Sequence, residues 1–235
     1  MLVAQRLYLA LLALLYPARC SSCDGPCEEG AAFCELCGIS LEAIAVACPR
    51  CGFPSESDGA ARAGPCLACL KRAPPFRTAE APFLFGGALA RAVRRLKWGR
   101  QPELGRPLGA LLPKRLLEAA DLVVPVPLHP RRLRAREFNQ SALLAIEVAR
   151  RRRPVDLRAL ERTRDTPPQS ALGVAERRRN VRGAFRARRS SVEGRRVLLV
   201  DDVFTTGATC EACTLALLEA GAAEVAVLTL ARAMP

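Results

Sequence analysis

Paired cysteines in the first third of the chain constrain its fold more than any other feature. Nine of the eleven cysteines lie between Cys20 and Cys69. Eight of them form CxxC pairs, separated by ten, ten and fourteen residues: Cys20/Cys23, Cys34/Cys37, Cys48/Cys51 and Cys66/Cys69. Two residues between thiolates let both sulfurs face one tetrahedral ion, and two such pairs complete a structural zinc site. The pattern predicts two structural zinc ions and leaves open which pairs share an ion.

The alternative to metal binding is a disulfide framework, and the choice depends on the compartment of the protein. An apolar run at residues 7–16 follows Arg6, as in a signal peptide, but no small-residue cleavage site comes after it. The run is also too short to span a bilayer, so we expect a helix that packs on the rest of the protein. The chain is therefore predicted to be cytoplasmic, where such cysteines bind metal.

The remaining residues near the cysteines have structural interpretations. Gly38 and Gly52 each follow a CxxC pair directly, where zinc knuckles use a positive φ that favours glycine. Cys27 belongs to no pair and is interpreted as a spare. Cys210 and Cys213 lie at helical spacing beside alanine and leucine, which predicts buried core positions.

Positive charge is concentrated in one part of the chain. The net charge is +13, and residues 131–189 contain eighteen arginines against six acidic residues. Such an excess favours an anionic partner, either a phosphorylated small molecule or nucleic acid. The alternative is an arginine-rich surface that is simply solvated.

The chain divides into three predicted regions: an N-terminal helix and cysteine-rich zinc-ribbon module at 1–71, a proline-containing linker at 72–82, and a second domain at 83–235. In the second domain, helical apolar spacing and short β-branched runs predict the regular elements. The predicted helices are 88–98, 104–119, 140–150 and 209–220, and the predicted strands are 122–126, 195–200 and 225–230. Their alternation predicts an α/β fold with a mostly parallel sheet and helices on both faces.

A segment near the C-terminus has the residues expected of a phosphate site. An apolar strand from Val197 ends in Asp201 and Asp202, and a short loop then leads into a helix. The loop and helix start comprise Thr205, Thr206, Gly207, Ala208 and Thr209. Free N–H groups of the helix start and the threonine hydroxyls predict a phosphate cradle. The adjacent carboxylates are placed to accept hydrogen bonds from ribose hydroxyls, directly or with Mg²⁺ nearby. A phosphorylated ribose fits both ends, whereas a Mg²⁺ site of another α/β protein leaves the threonine-rich loop unexplained.

A strand, two acids and a TTGAT-like loop form the signature of phosphoribosyltransferases, which this segment resembles without a break. Together with the cysteine pairs, the chain resembles the ComF family of competence proteins over almost its full length. Other stretches that fit are Cys48–Gly52, Leu96–Trp98, Val124–Leu128, Arg136–Gln140, Thr166–Gln169, Arg177–Asn180 and Ala231–Arg232. One residue departs from the pattern, since the family usually has Gly where this chain has Glu137.

The resemblance implies a double zinc ribbon followed by a type I phosphoribosyltransferase domain that binds phosphoribosyl pyrophosphate (PRPP) with Mg²⁺. Asp201 and Asp202 would be the catalytic carboxylates. Residues 162–180 would form a mobile loop that closes over the site and excludes water. The pyrophosphate would lie against the basic residues that follow Pro127, because dispersed positive charge stabilises a leaving anion. These candidate contacts are Arg131, Arg132, Arg134 and Arg136.

Two functions of different classes follow from the resemblance. The first is an enzyme that transfers phosphoribosyl from PRPP to a nitrogen acceptor in DNA uptake. The second is an adaptor that retains the PRPP pocket and binds single-stranded DNA or DNA-uptake proteins, which suits the arginine excess; a regulator that senses PRPP is a third. No segment indicates a base-recognition pocket, so the acceptor stays open. Separate modules also predict that chelation of zinc unfolds residues 1–71 and spares the second domain.

Overall fold

The computed structural model describes residues 17–55, 64–150, 152–166 and 174–234. The apolar run at 7–16 and most of the TPPQ stretch, 167–169, therefore lie outside the described residues. The described helices are α1 (Glu35–Ile39), α2 (Leu67–Lys71), α3 (Gly87–Trp98), α4 (Gly105–Ala110), α5 (Arg115–Glu118), α6 (Pro130–Arg136), α7 (Gln140–Ala149), α8 (Val174–Val181), α9 (Arg189–Val192) and α10 (Ala208–Glu219). The described strands are β1 (Thr78–Glu80), β2 (Phe83–Leu84), β3 (Leu122–Pro125), β4 (Leu160–Arg162), β5 (Phe185–Ala187), β6 (Arg196–Phe204) and β7 (Glu224–Arg232).

A parallel sheet with the strand order β1-β7-β6-β3 lies at the centre of the fold, and β2 also pairs with β7. Alternate residues of β6 point to opposite faces. Leu198 and Val200 pack with α3 and α7, whereas Val197 and Leu199 pack with α10. Because helices cover both faces, the inner strands consist almost entirely of buried residues. The predicted α/β fold is confirmed. The two cysteines of α10 are buried, as predicted for core positions.

Two predicted elements have different extents in the structure. The predicted helix 104–119 is divided into α4 and α5, because Pro113 cannot continue a helix and restricts the residue before it. The strand predicted to end at Val200 continues as β6 to Phe204. Its neighbour β3 ends opposite Val200, whereas β7 pairs with β6 as far as Phe204 and Arg232. The last four residues of β6 are therefore paired with a strand on one side only.

The predicted linker also differs, since residues 78–80 of it form β1 at the edge of the sheet. The backbone of these residues pairs with β7. The sequence of a short segment between prolines does not by itself reveal this pairing. The start of the second domain at residue 83 stays a prediction.

The cysteine-rich region packs directly on the sheet domain. Cys20, Phe33 and Cys37 belong to the same buried cluster as Leu89 and Val93 of α3. The backbone N–H of Leu84 donates to the carbonyl of Glu42 at 2.8 Å, and Ala43 forms an antiparallel bridge with Phe83. The two regions therefore share one core, which changes the expectation for zinc removal.

An antiparallel pair of strands, β4 and β5, lies beside the sheet and next to α8. A cleft of about 310 Å³ here is lined by Arg164, Asp165, Thr166, Arg179 and Asn180. These residues belong to the predicted closing loop at 162–180. Among the described residues, no helix has the length and apolar character needed to cross a bilayer.

Candidate metal centres and phosphate site

The eight paired cysteines form two separate tetrads. The first is Cys20, Cys23, Cys34 and Cys37, and the second is Cys48, Cys51, Cys66 and Cys69. In each tetrad all four sulfurs lie within 4.8 Å of one another. The Sγ atoms of Cys23 and Cys34 are 3.8 Å apart, and those of Cys51 and Cys66 are 3.6 Å apart. Zn–S bonds of about 2.3 Å in a tetrahedron separate sulfurs by about 3.8 Å. Each tetrad could therefore hold one zinc ion, and consecutive CxxC pairs share a site.

Both tetrads are built from the same local structure. The first pair of each lies in a tight turn that ends in a positive φ, 65° at Asp24 and 68° at Gly52. The second pair begins a short helix, with Cys34 and Cys66 at the N-caps. The prediction for Gly52 is confirmed, but that for Gly38 is wrong. Gly38 lies inside α1, because the second pair of each tetrad forms a helix instead of a knuckle.

Backbone donors favour the thiolate at Cys20 and Cys48, the first cysteine of each tetrad, whereas burial raises the pKa of Cys51 and Cys69. The N–H of Cys66 donates to Sγ of Cys48 at 3.3 Å. Burial raises the pKa of Cys48, but N–H donors from Cys51, Cys66 and Arg50 outweigh it and lower that pKa to about 7. A thiolate is the form that binds a metal, so the donor set fits zinc. Cys27 lies outside both tetrads, as predicted for a spare.

The predicted phosphate cradle lies where β6 ends and α10 begins. Gly207 is the N-cap of α10 and has a φ of 79°, in the left-handed region that favours glycine. A Cβ at this position would lie 2.7 Å from Cζ of Phe204, so the loop rests closely on that ring. The side-chain oxygen of Thr206 accepts a hydrogen bond from the N–H of Ala208 at 3.4 Å. The first N–H groups of a helix have no carbonyl partner within the helix and are a general site for phosphate, and α10 is twelve residues long.

The two carboxylates lie within β6, three residues before the loop. Asp201 is 9% exposed, and its Oδ1 accepts from the hydroxyl of Ser141 at 2.8 Å and from the N–H of Asp202 at 2.9 Å. Asp202 is 4% exposed, and its Oδ2 lies 2.5 Å from Nζ of Lys97. The contact between Lys97 and Asp202 is an ion pair whose angles are not those of a hydrogen bond. The acids therefore face two different helices, α7 and α3.

We expect Asp201 to titrate near neutral pH. Burial first, and then the charge of Asp202, raise its pKa to about 7, although Lys97 and Ser141 act in the opposite direction. The folded chain thus holds this proton more tightly than the unfolded chain. That contribution to stability is complete below about pH 4 and is lost as the pH rises through about 7. The free energy of unfolding in denaturant should fall by about 3 kcal/mol between about pH 5 and pH 8 through this group.

The Asp201→Asn variant provides the control for this pH dependence. It keeps all eight paired cysteines, so the difference between wild type and variant isolates the carboxyl from the zinc ligands. An unchanged pH slope in the variant would show that Asp201 is already ionised in the folded chain.

The predicted pyrophosphate contacts lie on or just beside α6. Arg136 is half-buried, donates to Gln140 at 2.6 Å, and interacts with the Asp202 charge. Arg131 pairs with Asp165 at 3.4 Å, and Arg132 donates to the carbonyl of Thr166. Arg134 is an exposed residue of the same helix. Arg136 therefore lies within electrostatic range of Asp202, whereas Arg131 and Arg132 contact the predicted closing loop.

Glu137 ends α6 in a conformation that suits glycine. Its φ is 73°, and its carboxylate lies 3.6 Å from the guanidinium of Arg100. A residue with a side chain is strained in this left-handed region, which explains why the family usually has glycine here.

Three residues of the site have no predicted role in the sequence. Lys97 and Ser141 contact the acids. Arg232 is 8% exposed and donates to the carbonyl of Cys51 at 2.5 Å, while its guanidinium lies 4.5 Å from the ring centroid of Phe204. Lys97 and Arg232 both fall in stretches that resemble the ComF family, and this was their only signal in the sequence. Ser141 had none, since a serine in the first turn of a helix is common.

Comparison with known proteins supports the same assignment. The family model described as "Phosphoribosyl transferase domain" matches residues 141–234. The chain is 34% identical to the DNA utilization protein YhgH of Escherichia coli strain K12, over 94% of this chain and 100% of that protein. It is 31% identical to competence protein F of Haemophilus influenzae, over 92% of this chain and 97% of that protein.

A solved structure is also similar. It is the glutamine PRPP amidotransferase of B. subtilis complexed with ADP and GMP, with 31% identity and a TM-score of 0.35. The alignment covers 55% of this chain and 25% of that chain. The full-length relatives, the phosphoribosyl transferase domain and the two cysteine tetrads together show that the chain belongs to the ComF family of competence and DNA utilization proteins.

Proposed function

We propose that the chain binds PRPP with Mg²⁺ at residues 201–209 and transfers its phosphoribosyl group to a nitrogen acceptor during the use of DNA taken up by the cell. One observation carries the proposal: a left-handed glycine starts α10 five residues after two buried carboxylates that lie near the end of β6. The helix start suits the 5-phosphate, and the carboxylates suit the ribose diol. We place the protein in the cytoplasm, with two structural zinc ions and with single-stranded DNA or DNA-uptake proteins as partners.

The residues present account for each part of the transfer. The acceptor nitrogen forms a bond to the anomeric carbon as the bond from that carbon to pyrophosphate breaks, and the nitrogen then passes its proton to the departing pyrophosphate. Arg136 and the neighbouring arginines of α6 supply positive charge for the leaving pyrophosphate. Mg²⁺, held with PRPP near Asp201 and Asp202, would neutralise further charge on that group. Such a reaction depends on positioning and charge more than on a strong acid or base.

A second function is favoured by the ion pair between Lys97 and Asp202. The lysine already occupies the carboxylate that the ribose diol would use, and both side chains are largely buried, at 20% and 5% exposure. A site held closed in this way suits an adaptor that binds PRPP slowly or only as a signal. In that case the protein would act through nucleic acid or partner proteins and would not release pyrophosphate.

Incubation with PRPP and Mg²⁺ distinguishes the two functions. Release of pyrophosphate with candidate bases or with single-stranded DNA supports the enzyme, and tight binding without release supports the adaptor. Asp202→Asn should weaken PRPP binding and therefore reduce either outcome. Asp121→Asn is a matched control, because Asp121 pairs with Arg196 at the opposite end of β6. Absence of PRPP binding to the zinc-loaded wild-type chain would contradict both functions.

A further inference from the structure

An exposed tryptophan lies next to the acidic pair. Trp98 is the last residue of α3 and the single tryptophan of the chain. Its side chain is 68% exposed, although large aromatic residues are usually well buried. The helix ends directly after it, at the C-cap Gly99, whose N–H donates to the carbonyl of Arg95 at 2.7 Å. The chain thus turns away at Gly99 and leaves the indole on the surface.

Two cations link this ring to the proposed ribose site. Nζ of Lys97 lies 5.9 Å from the ring centroid and 2.5 Å from Oδ2 of Asp202. Lys97 therefore links the ring to that carboxylate. The guanidinium of Arg136 also lies 5.9 Å from the ring centroid. An aromatic surface with adjacent cations suits a ligand that has both a planar ring and phosphate groups.

Resting on the proposed function, we propose that Trp98 stacks a nucleobase beside the PRPP site, with Lys97 and Arg136 close to the phosphates attached to that base. A stacked base here would lie next to the ribose end of PRPP, where an acceptor nitrogen is needed. The base has two sources, a free nucleotide or a base within single-stranded DNA. Pockets for free small molecules usually enclose most of the ligand, so the open position of Trp98 suits a strand held by several phosphates.

The single tryptophan makes this proposal directly measurable. Stacking of a nucleobase on an indole quenches its fluorescence, and all tryptophan emission of this chain comes from Trp98. We expect quenching by oligothymidylate, by adenosine or thymidine monophosphate, or by both, and these two arms identify the source of the base. Ribose 5-phosphate and pyrophosphate, which have no base, should leave the emission nearly unchanged. Emission unaffected by nucleotides and by oligothymidylate would overturn the proposal.

Variants test whether the ring itself contributes to affinity. The affinity of Trp98→Ala should be about 5- to 100-fold weaker than that of the wild type. Fluorescence anisotropy of a labelled oligothymidylate, or competition by the nucleotide that quenches the emission, measures this affinity. Trp98→Phe should retain part of the affinity, because a smaller aromatic ring still stacks. Leu157→Ala is the control, since Leu157 is also an exposed apolar side chain, at 52%. Wild-type affinity in Trp98→Ala would overturn the proposal, provided that circular dichroism shows a folded chain.

Failure of the stacking site is distinguishable from failure of the PRPP site. Calorimetric titration of PRPP with Mg²⁺ measures binding at the PRPP site alone, because PRPP has no base that could stack on Trp98. Binding of PRPP without quenching by any base would overturn the stacking site and keep the proposed function. Two results together would support the stacking site and contradict the proposed function. The wild type would not bind PRPP, and nucleobases would still quench the Trp98 emission of Asp202→Asn.

Discussion

Removal of zinc is expected to unfold the whole chain and not the cysteine-rich region alone. Each tetrad holds an arginine of the sheet domain by a carbonyl of its first CxxC turn: Cys20 accepts from Arg95 at 3.1 Å, and Cys51 accepts from Arg232 at 2.5 Å. Arg95 lies on α3, which shares the core with Cys20, and Arg232 lies on β7. Structural zinc contributes about 10–16 kcal/mol in isolated fingers, as much as the total stability of a domain. The tertiary structure therefore replaces the expectation that chelation spares residues 83–235.

Chelation followed by two probes measures this coupling. Trp98 emission and amide exchange of β6 both report on the sheet domain, and we expect both to change with zinc release. Cys48→Ser should act like chelation, by loss of one ligand. Cys27→Ser is its control, because Cys27 lies outside both tetrads and should leave zinc content at two ions per chain. Protected β6 amides in metal-free protein would show that the regions fold independently.

The phosphate cradle should be lost on substitution of Gly207 by alanine, with a larger effect from valine. The positive φ costs a residue with a side chain about 1–2 kcal/mol. The new Cβ would also lie 2.7 Å from Phe204, whose ring is already packed against the guanidinium of Arg232 and the ring of Phe76. The Cβ would point toward Phe204 and not into the cradle, so the loop must move and take its N–H groups with it. We expect binding of ribose 5-phosphate and of PRPP to fall by at least about 100-fold, the loss of two charge-assisted hydrogen bonds.

Gly194→Ala is the matched control for this effect. Gly194 has a similar φ of 71°, and nothing lies within 4 Å of the point that a Cβ would occupy there, so it tests backbone strain alone. It should lower stability by a similar amount and leave both affinities unchanged. Asp202→Asn should instead weaken recognition of the ribose diol and keep the phosphate contacts, while Arg136→Ala should weaken PRPP and pyrophosphate but hardly ribose 5-phosphate. Wild-type calorimetric affinities in both the Gly207 and the Asp202 variants would place the site elsewhere.

The elements that the sequence predicts correctly depend on short stretches of chain. The CxxC spacing brings two sulfurs together within four residues, and the turn at Gly207 follows directly from a strand and precedes a helix. Apolar runs such as 196–200 predict buried strands for the same reason. Two predictions differ from the structure. A proline interrupts the helix predicted at 104–119, and the linker predicted at 72–82 contains a strand that pairs with a neighbour elsewhere in the sheet.

Only the tertiary structure decides which distant residues complete each site. Ser141 reaches Asp201 across 60 residues, Lys97 reaches Asp202 from another helix, and Arg232 reaches Cys51 across 181 residues. No local pattern encodes these contacts, because they arise where α3 and α7, which cover one face of the sheet, and the end of β7 come together near the carboxyl end of β6. The sequence by itself predicted the eight paired cysteines as candidate metal ligands and the turn at Gly207 as a candidate phosphate loop, since both are short-range arrangements. The tertiary structure decided how the CxxC pairs combine, which side chain faces each carboxylate, and that both tetrads contact the sheet domain. All of these are contacts between separate elements.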